Sequence, residues 1–449
     1  SDVCSSDLKM IAQLVEWKER TNRKPLIIKG ARQVGKTWLL RHFGECYFTK
    51  THYFNFEADQ RLGELFQQDL NPQRILNELQ FYLGEEMDPQ NDLIIFDEIQ
   101  QAPEALTSLK YFQEERSEIA ICAAGSLLGI HLSSHSFPVG KVEFMNLYPL
   151  TFIEFLNGIE ADQLIELINN HDLTTPLPEM AHQRLWELWK HYLVVGGLPE
   201  VINSYRENPD NLFVAMESAR TEQQNLLNGY MVDIAKHSGK SNALQIETLW
   251  LNVVNQLARE QDGGAAKFRF RDAIPGVRGY DRLQSPIDWL TEAHLILRTS
   301  IISQPSTPLS AQAKENSFKL YLFDSGLLGA MSGMDATTIL HYNFGSYQGY
   351  VAENFVAQEL RAAGVERLYS WQRRTSEIEF IVENRGDAIP IEVKSGRNTR
   401  AKSLAVYEGK YQPDNIIILS AKNSHLIGNR HYLPIYLAGL CLETSLPIF

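Results

Sequence analysis

The chain of 449 residues is 44% hydrophobic and 22% charged, which is typical of a globular protein with several domains, each able to bury its own core. This composition excludes a disulfide mini-protein and a disordered low-complexity chain, and the sequence contains no apolar run of about 18 residues. A formal net charge of −13 argues against non-specific coating by nucleic acid, although a local basic groove is compatible with it. The four cysteines are scattered without zinc-site spacing, so we predict reduced thiols in a cytoplasmic protein.

The first part of the chain alternates short apolar runs with helical patterns. We expect residues 1–8, which show no periodicity, to be a leader left by cloning or sequence assembly. Because strands buried on both faces that alternate with helices form parallel sheets, we predict an α/β domain over residues 9–158. The predicted strands lie at 25–29, 53–56, 93–96 and 119–124.

Three further segments follow this domain. Apolar stripes at helical spacing predict a helical region over 159–240. In residues 241–335, helices precede two strand-like runs, at 295–302 and 318–323, and this order predicts a winged-helix module. Two helices, at 351–361 and 402–411, and three strands, at 378–382, 389–393 and 415–419, predict a second α/β unit over 336–449.

The first predicted strand runs directly into a phosphate-binding motif. The octet GARQVGKT fits G-x-x-x-x-G-K-[ST], follows an apolar strand and begins a helix, which is the context this motif requires. Its backbone N–H groups and the helix N-terminus would bind phosphate oxygens, Lys36 would reach the β- and γ-phosphates, and the Thr37 hydroxyl would bind Mg²⁺. The predicted nucleotide-binding residues are Gly30, Ala31, Arg32, Gln33, Val34, Gly35, Lys36 and Thr37.

Polar residues follow two of the other predicted strands. Asp97 and Glu98 end the run LIIF, where Asp97 would hold Mg²⁺ and Glu98 would orient or polarise the attacking water. Ser126, after the next strand, would either sense the γ-phosphate or cap a helix, and both readings stay open. A further cation is expected in the transition state, and the candidate arginine fingers are Arg116, Arg184 and Arg220.

A second group of charged residues lies near the C-terminus. Glu392 and Lys394 alternate on one predicted strand and therefore share a face, Glu379 lies on another strand, and Glu353 lies on the preceding helix. Three converging carboxylates would hold Mg²⁺ while Lys394 positions a water for phosphodiester attack, but a salt-bridged surface is the default interpretation of this pattern. The basic residues that flank the group and would follow a nucleic-acid backbone are Arg373, Arg374, Arg397, Arg400 and Lys402.

From about residue 9 to 419, the chain resembles the predicted prokaryotic AAA+-superfamily ATPases that carry a C-terminal domain of unknown function similar to PD-(D/E)XK nucleases. The segments that carry the resemblance are KPLIIKGARQVGKT (24–37), LIIFDEIQ (93–100), AAGSLLGI (123–130), SFPVGKVEFMNLYPLTFIEFL (136–156), VGGLPE (195–200), KLYLFDSGLL (319–328), GYVAENFVAQEL (349–360) and IPIEVKSG (389–396).

The resemblance implies a P-loop NTPase core, a helical lid over 159–240 and a restriction-endonuclease-like domain over 336–449, with ATP and Mg²⁺ as cofactors. It implies that Gly197 and Pro199 belong to a lid motif near the nucleotide. It also implies a nuclease-like centre with metal ligands at Glu379 and Glu392, completed by Glu353 and Lys394 as catalytic residues.

One position departs from the family pattern. Glu379 stands where the family has Asp, and its extra methylene shifts the carboxylate, whereas Mg²⁺ demands near-octahedral geometry.

Two functions of the whole protein are compatible with these patterns. In the first, ATP hydrolysis drives or gates a nuclease or a nucleic-acid-binding module on DNA or RNA. In the second, a nucleotide switch with a catalytically dead nuclease-like domain acts on a protein partner. No membrane partner is expected, and an active site completed in trans would require a homo-oligomer.

Overall fold

The computed structural model describes residues 9–126, 138–259, 267–271, 273–345, 347–396 and 402–443. The chain divides into two compact units. Within the described ranges, the N-terminal unit comprises residues 9–148 and Glu292–His294, and the C-terminal unit comprises Pro149–Thr291 and residues 295–443. The N-terminal unit therefore ends earlier than the predicted domain boundary at residue 158.

The N-terminal unit is built on a five-stranded sheet in the order β2-β3-β4-β1-β5, with parallel pairing throughout. The predicted parallel α/β sheet is confirmed. Sequence analysis missed β5 because its residues alternate between half-buried and exposed, as expected of an edge strand, and include Glu143 and Asn146. The strands are β1 (Leu26–Lys29), β2 (Thr51–Asn55), β3 (Leu93–Asp97), β4 (Ala120–Ala124) and β5 (Glu143–Asn146).

Helices of this unit connect the strands, and an aromatic cluster holds the centre of the sheet in place. Phe96, on β3, packs edge-on against Phe56 and Phe66 at centroid distances of 5.6 and 5.8 Å. Because all three rings are buried, the end of β3 is firmly placed. The helices are α1 (Lys9–Glu19), α2 (Lys36–Tyr47), α3 (Arg61–Glu64), α4 (Pro72–Leu83) and α5 (Pro103–Glu115).

The C-terminal unit contains an eight-stranded mixed sheet in the order β12-β13-β11-β10-β9-β8-β6-β7. The predicted strands at 378–382 and 389–393 are confirmed as β9 and β10, which pair antiparallel. The strands are β6 (Ile296–Ile302), β7 (Ala313–Leu322), β8 (Leu368–Arg373), β9 (Ser376–Asn384), β10 (Asp387–Val393), β11 (Ile416–Ser420), β12 (His425–Ile427) and β13 (Arg430–Pro434).

The two strands assigned to a winged-helix module are present as the antiparallel ribbon β6–β7. However, β6 also pairs in parallel with β8, so that Thr299 lies opposite Leu368. The ribbon is therefore the edge of the eight-stranded sheet, and the winged-helix module is not confirmed. The same pairing joins residues 241–335 to 336–449 in one sheet, and the restriction-endonuclease-like domain is not confirmed either.

The remaining helices belong mostly to the C-terminal unit and agree with the predicted helical region over 159–240. They are α6 (Phe152–Gly158), α7 (Asp162–Asn169), α8 (Glu179–Val195), α9 (Pro199–Arg206), α10 (Leu212–Ser238), α11 (Lys240–Arg259), α12 (Tyr280–Glu292), α13 (Ser325–Met331), α14 (Ala336–His341), α15 (Tyr347–Ala362) and α16 (Lys402–Tyr411). Short 3-10 helices lie at Ile99–Gln101, Leu309–Gln312 and Ile435–Leu440.

Candidate functional site

The phosphate loop connects β1 to α2, and its two glycines are required for different physical reasons. A Cβ at Gly30 would lie 2.3 Å from the backbone oxygen of Leu147, so no larger residue fits there. Gly35 has φ 96° and precedes the first helical residue, a left-handed conformation that glycine adopts without strain. The loop therefore brings its backbone close to the N-terminus of α2, which is the arrangement that binds phosphate.

Lys36 is the first residue of α2, and its ammonium group is buried inside the loop. It donates to the carbonyl oxygens of Gly30 at 2.9 Å and Ala31 at 2.7 Å, and to Ser126 Oγ at 3.2 Å. Strand β4, which ends just before Ser126, lies between β1 and β3 in the sheet. The structure therefore brings the predicted sensor residue into contact with the predicted phosphate-binding lysine. The alternative role of Ser126 as a helix cap concerns residues 127–137, which lie outside the described residues.

Two of the predicted magnesium-binding side chains are hydrogen-bonded to each other. Thr37 Oγ1 donates to Asp97 Oδ2 at 2.7 Å, and Asp97 is almost fully buried at the end of β3. A hydroxyl and a carboxylate that meet beside a phosphate loop are hard oxygen ligands of the kind that Mg²⁺ prefers. These residues fit the metal that a P-loop site requires.

Tyr53 is a residue of this site that sequence analysis missed. Its hydroxyl donates to the same oxygen of Asp97 at 2.6 Å, and it accepts from Asn55 Nδ2 at 3.2 Å. Burial and the hydrogen bond to Asp97 raise the pKa of Tyr53 to about 12, so the hydroxyl stays a donor at neutral pH. Alternation along β2 places Tyr53 and Asn55 on one face, and the adjacency of β2 and β3 was the missing information.

We expect Tyr53→Phe to weaken the magnesium dependence of ATP hydrolysis more than its maximal rate. The substitution keeps the ring but removes one of the hydrogen bonds that orient Asp97, which also accepts from Thr37 Oγ1 and Glu98 N, and losing such a partner typically costs roughly 10-fold in metal affinity. The measurement is the rate of hydrolysis against Mg²⁺ concentration at saturating ATP. Tyr82→Phe is the matched control, because the Tyr82 hydroxyl donates to Asp59 on the surface. An unchanged Mg²⁺ requirement in Tyr53→Phe would contradict the positioning role.

Glu98 follows Asp97 in an unusual backbone conformation. Its φ of 50° is positive, which is uncommon for a residue with a side chain and often marks a functional site. Gln100 donates a short hydrogen bond from Nε2 to the Glu98 carboxylate. Burial raises the pKa of the Glu98 carboxyl, and the Gln100 hydrogen bond and the positive charge of Lys36 offset only part of that shift. The carboxylate is thus held in place by a neighbour and influenced by the phosphate-binding lysine.

The three candidate arginine fingers differ in what their guanidinium groups contact. Arg116 pairs with Glu118 at 2.6 Å on the N-terminal unit. Arg220 donates to Gln223 at 2.6 Å and to the carbonyl oxygen of Gly326 at 3.0 Å, and burial lowers its pKa to about 10. Arg220 therefore serves the packing of the C-terminal unit, which does not favour its prediction as a finger. Arg184 is exposed on α8.

The Gly-Gly-x-Pro segment lies in the C-terminal unit between α8 and α9. Gly197 N donates to Asp324 Oδ2 at 2.7 Å, and a Cβ at Gly197 would lie 2.1 Å from the carbonyl oxygen of Leu150. Pro199 occupies the first turn of α9, where its missing N–H costs nothing. The close packing explains the glycines, and the proximity of Gly197 and Pro199 to the nucleotide stays a prediction.

The predicted nuclease-like residues come together on α15, β9 and β10. Glu392 and Lys394 form a short ion pair, which confirms that they share a face. Glu379 Oε2 accepts from Val393 N at 2.9 Å. Burial raises the pKa of the Glu379 carboxyl well above its ordinary value, and the charge of Glu392 adds to that effect.

Strand β7 contributes two residues to this group that sequence analysis did not include. Lys319 Nζ lies 3.2 Å from Glu353 Oε2 and also pairs closely with Glu377, and Tyr321 donates to Glu353 Oε2 at 2.6 Å. They were missed because β7 was assigned to the winged-helix module. Within the ranges that the structure describes, no group of three or more His, Cys, Asp or Glu side chains has the geometry of a metal site.

Three of the five basic residues predicted to flank the nuclease-like group lie within the described residues. Arg373 and Arg374 are exposed at the turn between β8 and β9, and Lys402 is exposed at the start of α16. Strand β9, which follows the turn, is linked to α16 because Glu377 N donates to Ser403 Oγ at 3.1 Å. Arg397 and Arg400 lie outside the described residues.

Three separate ranges of the chain match models of protein families. Residues 22–156 match the AAA domain, a range that includes the phosphate loop, Asp97, Glu98 and Ser126. Residues 186–338 and 348–438 match two domains of unknown function, DUF8612 and DUF4143. These matches do not confirm a nuclease-like domain. No curated protein matches the chain.

Several solved structures are similar to this chain at low identity. The Walker-type ATPase PABY2304 of Pyrococcus abyssi is 15% identical, with 73% of this chain and 96% of that chain covered and a TM-score of 0.45. The Aeropyrum pernix ORC1 protein, solved in complex with DNA, is 13% identical, with 74% and 94% covered and a TM-score of 0.30. The Thermotoga maritima RuvB Holliday junction branch migration motor is 16% identical, with 65% and 88% covered and a TM-score of 0.31. At these TM-scores the likenesses carry no argument about activity.

Over the part of the chain that the structure describes, no helix has the length and apolar character needed to cross a bilayer.

Proposed function

We propose that the protein binds and hydrolyses ATP with Mg²⁺ in its N-terminal unit, and that the nucleotide state controls the C-terminal unit. The observation that carries this proposal is the convergence of Lys36, Thr37, Asp97 and Ser126 at one edge of the parallel sheet. Ligands of open α/β sheets bind at the carboxyl ends of the strands, where these residues lie. The AAA domain match supports nucleotide binding and hydrolysis.

The site residues suggest a division of labour in hydrolysis. The loop N–H groups and Lys36 bind the phosphates, and the ammonium group stabilises negative charge that develops on the γ-phosphoryl group. Thr37 and Asp97 would hold Mg²⁺, which supplies further charge neutralisation when bound. Glu98 orients the attacking water and accepts its proton, and Ser126 contacts the γ-phosphate beside Lys36.

The proposed target of the C-terminal unit is the phosphate backbone of DNA or RNA. Arg373 and Arg374 lie at the β8–β9 turn and Lys402 begins α16, which the Glu377–Ser403 hydrogen bond links to β9, so three exposed cations lie on connected elements. Exposed cations on linked elements are suited to contact successive phosphates, and such binding weakens steeply as salt is added. The chain's formal net charge of −13 instead favours a protein partner, which is the second candidate.

The experiment that tests the function is steady-state ATP hydrolysis with Mg²⁺ or with a chelator, each with and without duplex and single-stranded DNA. We expect hydrolysis to require Mg²⁺ and to increase when DNA is added at low salt. Hydrolysis without Mg²⁺ would contradict the site assignment. Hydrolysis that is indifferent to DNA, with a protein that co-purifies, would favour the protein partner.

We expect Arg373→Ala with Arg374→Ala to weaken DNA binding several-fold and to lower the salt dependence by about one phosphate contact per arginine. The measurement is fluorescence anisotropy of labelled DNA over a range of salt concentrations. Arg385→Ala is the matched control, because Arg385 is an exposed arginine in the turn at the other end of β9, with φ 51° against 56° for Arg374. Equal losses in both variants would mean that this turn is not the binding surface.

A further inference from the structure

The C-terminal unit contains an internal ion-pair network that we call the acid–lysine cluster. Its members come from β7, α15, β9 and the end of β10. The cluster consists of Glu353, Glu377, Glu379, Glu392, Lys319 and Lys394. A nuclease-like centre would use some of the same carboxylates for a divalent cation, so the contacts of each carboxylate decide whether a metal fits.

Lys319 is at the centre of one half of the cluster. Its side chain is only 4% exposed, and its ammonium group contacts Glu353 Oε2 at 3.2 Å and pairs closely with Glu377. Burial alone would lower the pKa of Lys319, but the charges of Glu353 and Glu377 outweigh burial and raise it. The site therefore holds a permanent positive charge between two carboxylates, where a divalent cation would otherwise be attracted.

The other half of the cluster is also occupied by protein groups. Glu392, whose side chain is 1% exposed, pairs with Lys394, and Glu379 Oε2 accepts from Val393 N. Among the described atoms, Oε2 of Glu392 is buried without a hydrogen-bond donor. In the described part of the chain, no three acidic or histidine side chains converge as metal ligands, and Lys319 and Lys394 already supply positive charge to the carboxylates, so the metal implied by the nuclease resemblance does not fit.

We infer that the Lys319 ammonium group takes the place of a divalent cation in the acid–lysine cluster, and that the C-terminal unit has no metal-dependent nuclease activity. The cluster then joins β7, α15 and β9 by charge pairing, as a bound metal would join them. A module of this kind binds its target without cutting it. This inference concerns the C-terminal unit alone and does not depend on ATP hydrolysis.

The test exchanges the internal cation for an external one. In Lys319→Met, Glu353 and Glu377 lose their buried counter-charge, so we expect a lower melting temperature that millimolar Mn²⁺ raises again by several degrees, without nucleotide. The double variant Lys319→Met with Glu353→Gln removes one carboxylate as well, and we expect it to lose the Mn²⁺ response. Both proteins keep the nucleotide site, so their difference reports the cluster. A Lys319→Met variant that folds but shows no greater Mn²⁺ response than the double variant would contradict the inference.

If Lys319→Met does not fold, Mn²⁺ binding and plasmid cleavage by the wild-type protein test the inference independently. We titrate nucleotide-free wild type, Glu353→Gln and Glu392→Gln with Mn²⁺ by electron paramagnetic resonance, and we incubate wild type and Glu392→Ala with supercoiled plasmid and Mg²⁺. We expect identical Mn²⁺ binding in the three proteins and intact plasmid in every sample. A wild-type Mn²⁺ site lost in Glu392→Gln, or cleavage lost in Glu392→Ala, would overturn the inference. ATP hydrolysis measured in the same preparations reports the nucleotide site separately.

Discussion

Lys36→Ala is expected to lower the rate of ATP hydrolysis by about 100-fold or more. In the structure its ammonium group lies inside the phosphate loop, within hydrogen-bonding distance of the Gly30 and Ala31 carbonyl oxygens and of Ser126. This position lets the ammonium group stabilise the negative charge that develops on the γ-phosphoryl group. The measurement is steady-state hydrolysis over a range of ATP concentrations.

The control for Lys36→Ala must separate lost chemistry from lost structure. Lys110→Ala removes a lysine from α5, outside the phosphate loop, and is expected to hydrolyse ATP at the wild-type rate. Because Lys36 is buried, Lys36→Met is added as a variant that retains most of the side-chain volume. Circular dichroism establishes that each protein is folded. Normal turnover by a folded Lys36→Ala protein would show that the phosphate-loop assignment is wrong.

Glu98→Gln is expected to lower kcat by roughly 100- to 10,000-fold while ATP binding persists, because a glutamine matches the shape of the carboxylate but cannot accept a proton. The variant also gives a pH signature. Burial raises the pKa of the Glu98 carboxyl, so the wild-type rate should fall on acidification at a higher pH than for an exposed glutamate, as the base becomes protonated. The residual hydrolysis rate of Glu98→Gln should not show this fall at acidic pH, because the glutamine does not titrate.

ATP binding and hydrolysis are measured separately for Glu98→Gln, by titration with a fluorescent ATP analogue and by phosphate release. Glu115→Gln, an exposed carboxylate at the end of α5, is the matched control and should behave as wild type. A Glu98→Gln protein that binds ATP and hydrolyses it at the normal rate would exclude Glu98 as the residue that orients water. A protein that no longer binds ATP would instead indicate a structural role for this strained position.

The residues of the candidate nucleotide site could largely be predicted from the sequence because the signals for them are local. The phosphate loop joins a strand to a helix within a few residues, and Asp97 and Ser126 each follow a short apolar strand. Parallel strands have their carboxyl ends at one edge, so the fold class alone brings these residues together. Tyr53 could not be predicted because its contact with Asp97 depends on the pairing of β2 with β3, and the sequence does not specify which strands pair.

In the C-terminal unit, the contacts that matter are long-range and could not be predicted from local sequence patterns. The strands and helices were mostly recognised, but β6 pairs with β8 across a long stretch of chain, and this pairing turns a supposed winged-helix ribbon into the edge of a larger sheet. Periodicity specifies which face of a strand a side chain occupies, but not which strand lies beside it. The position of Lys319 among the carboxylates could therefore not be read from the sequence.

The sequence alone predicts a parallel α/β sheet with a phosphate-binding motif, because strand–turn–helix motifs carry both their chemistry and their local geometry. The charge balance of the C-terminal cluster, where the Lys319 ammonium group meets Glu353 and Glu377, became visible in the tertiary structure. Electrostatic interactions depend on distance in space and on burial, and neither quantity is set by the spacing of residues along the chain.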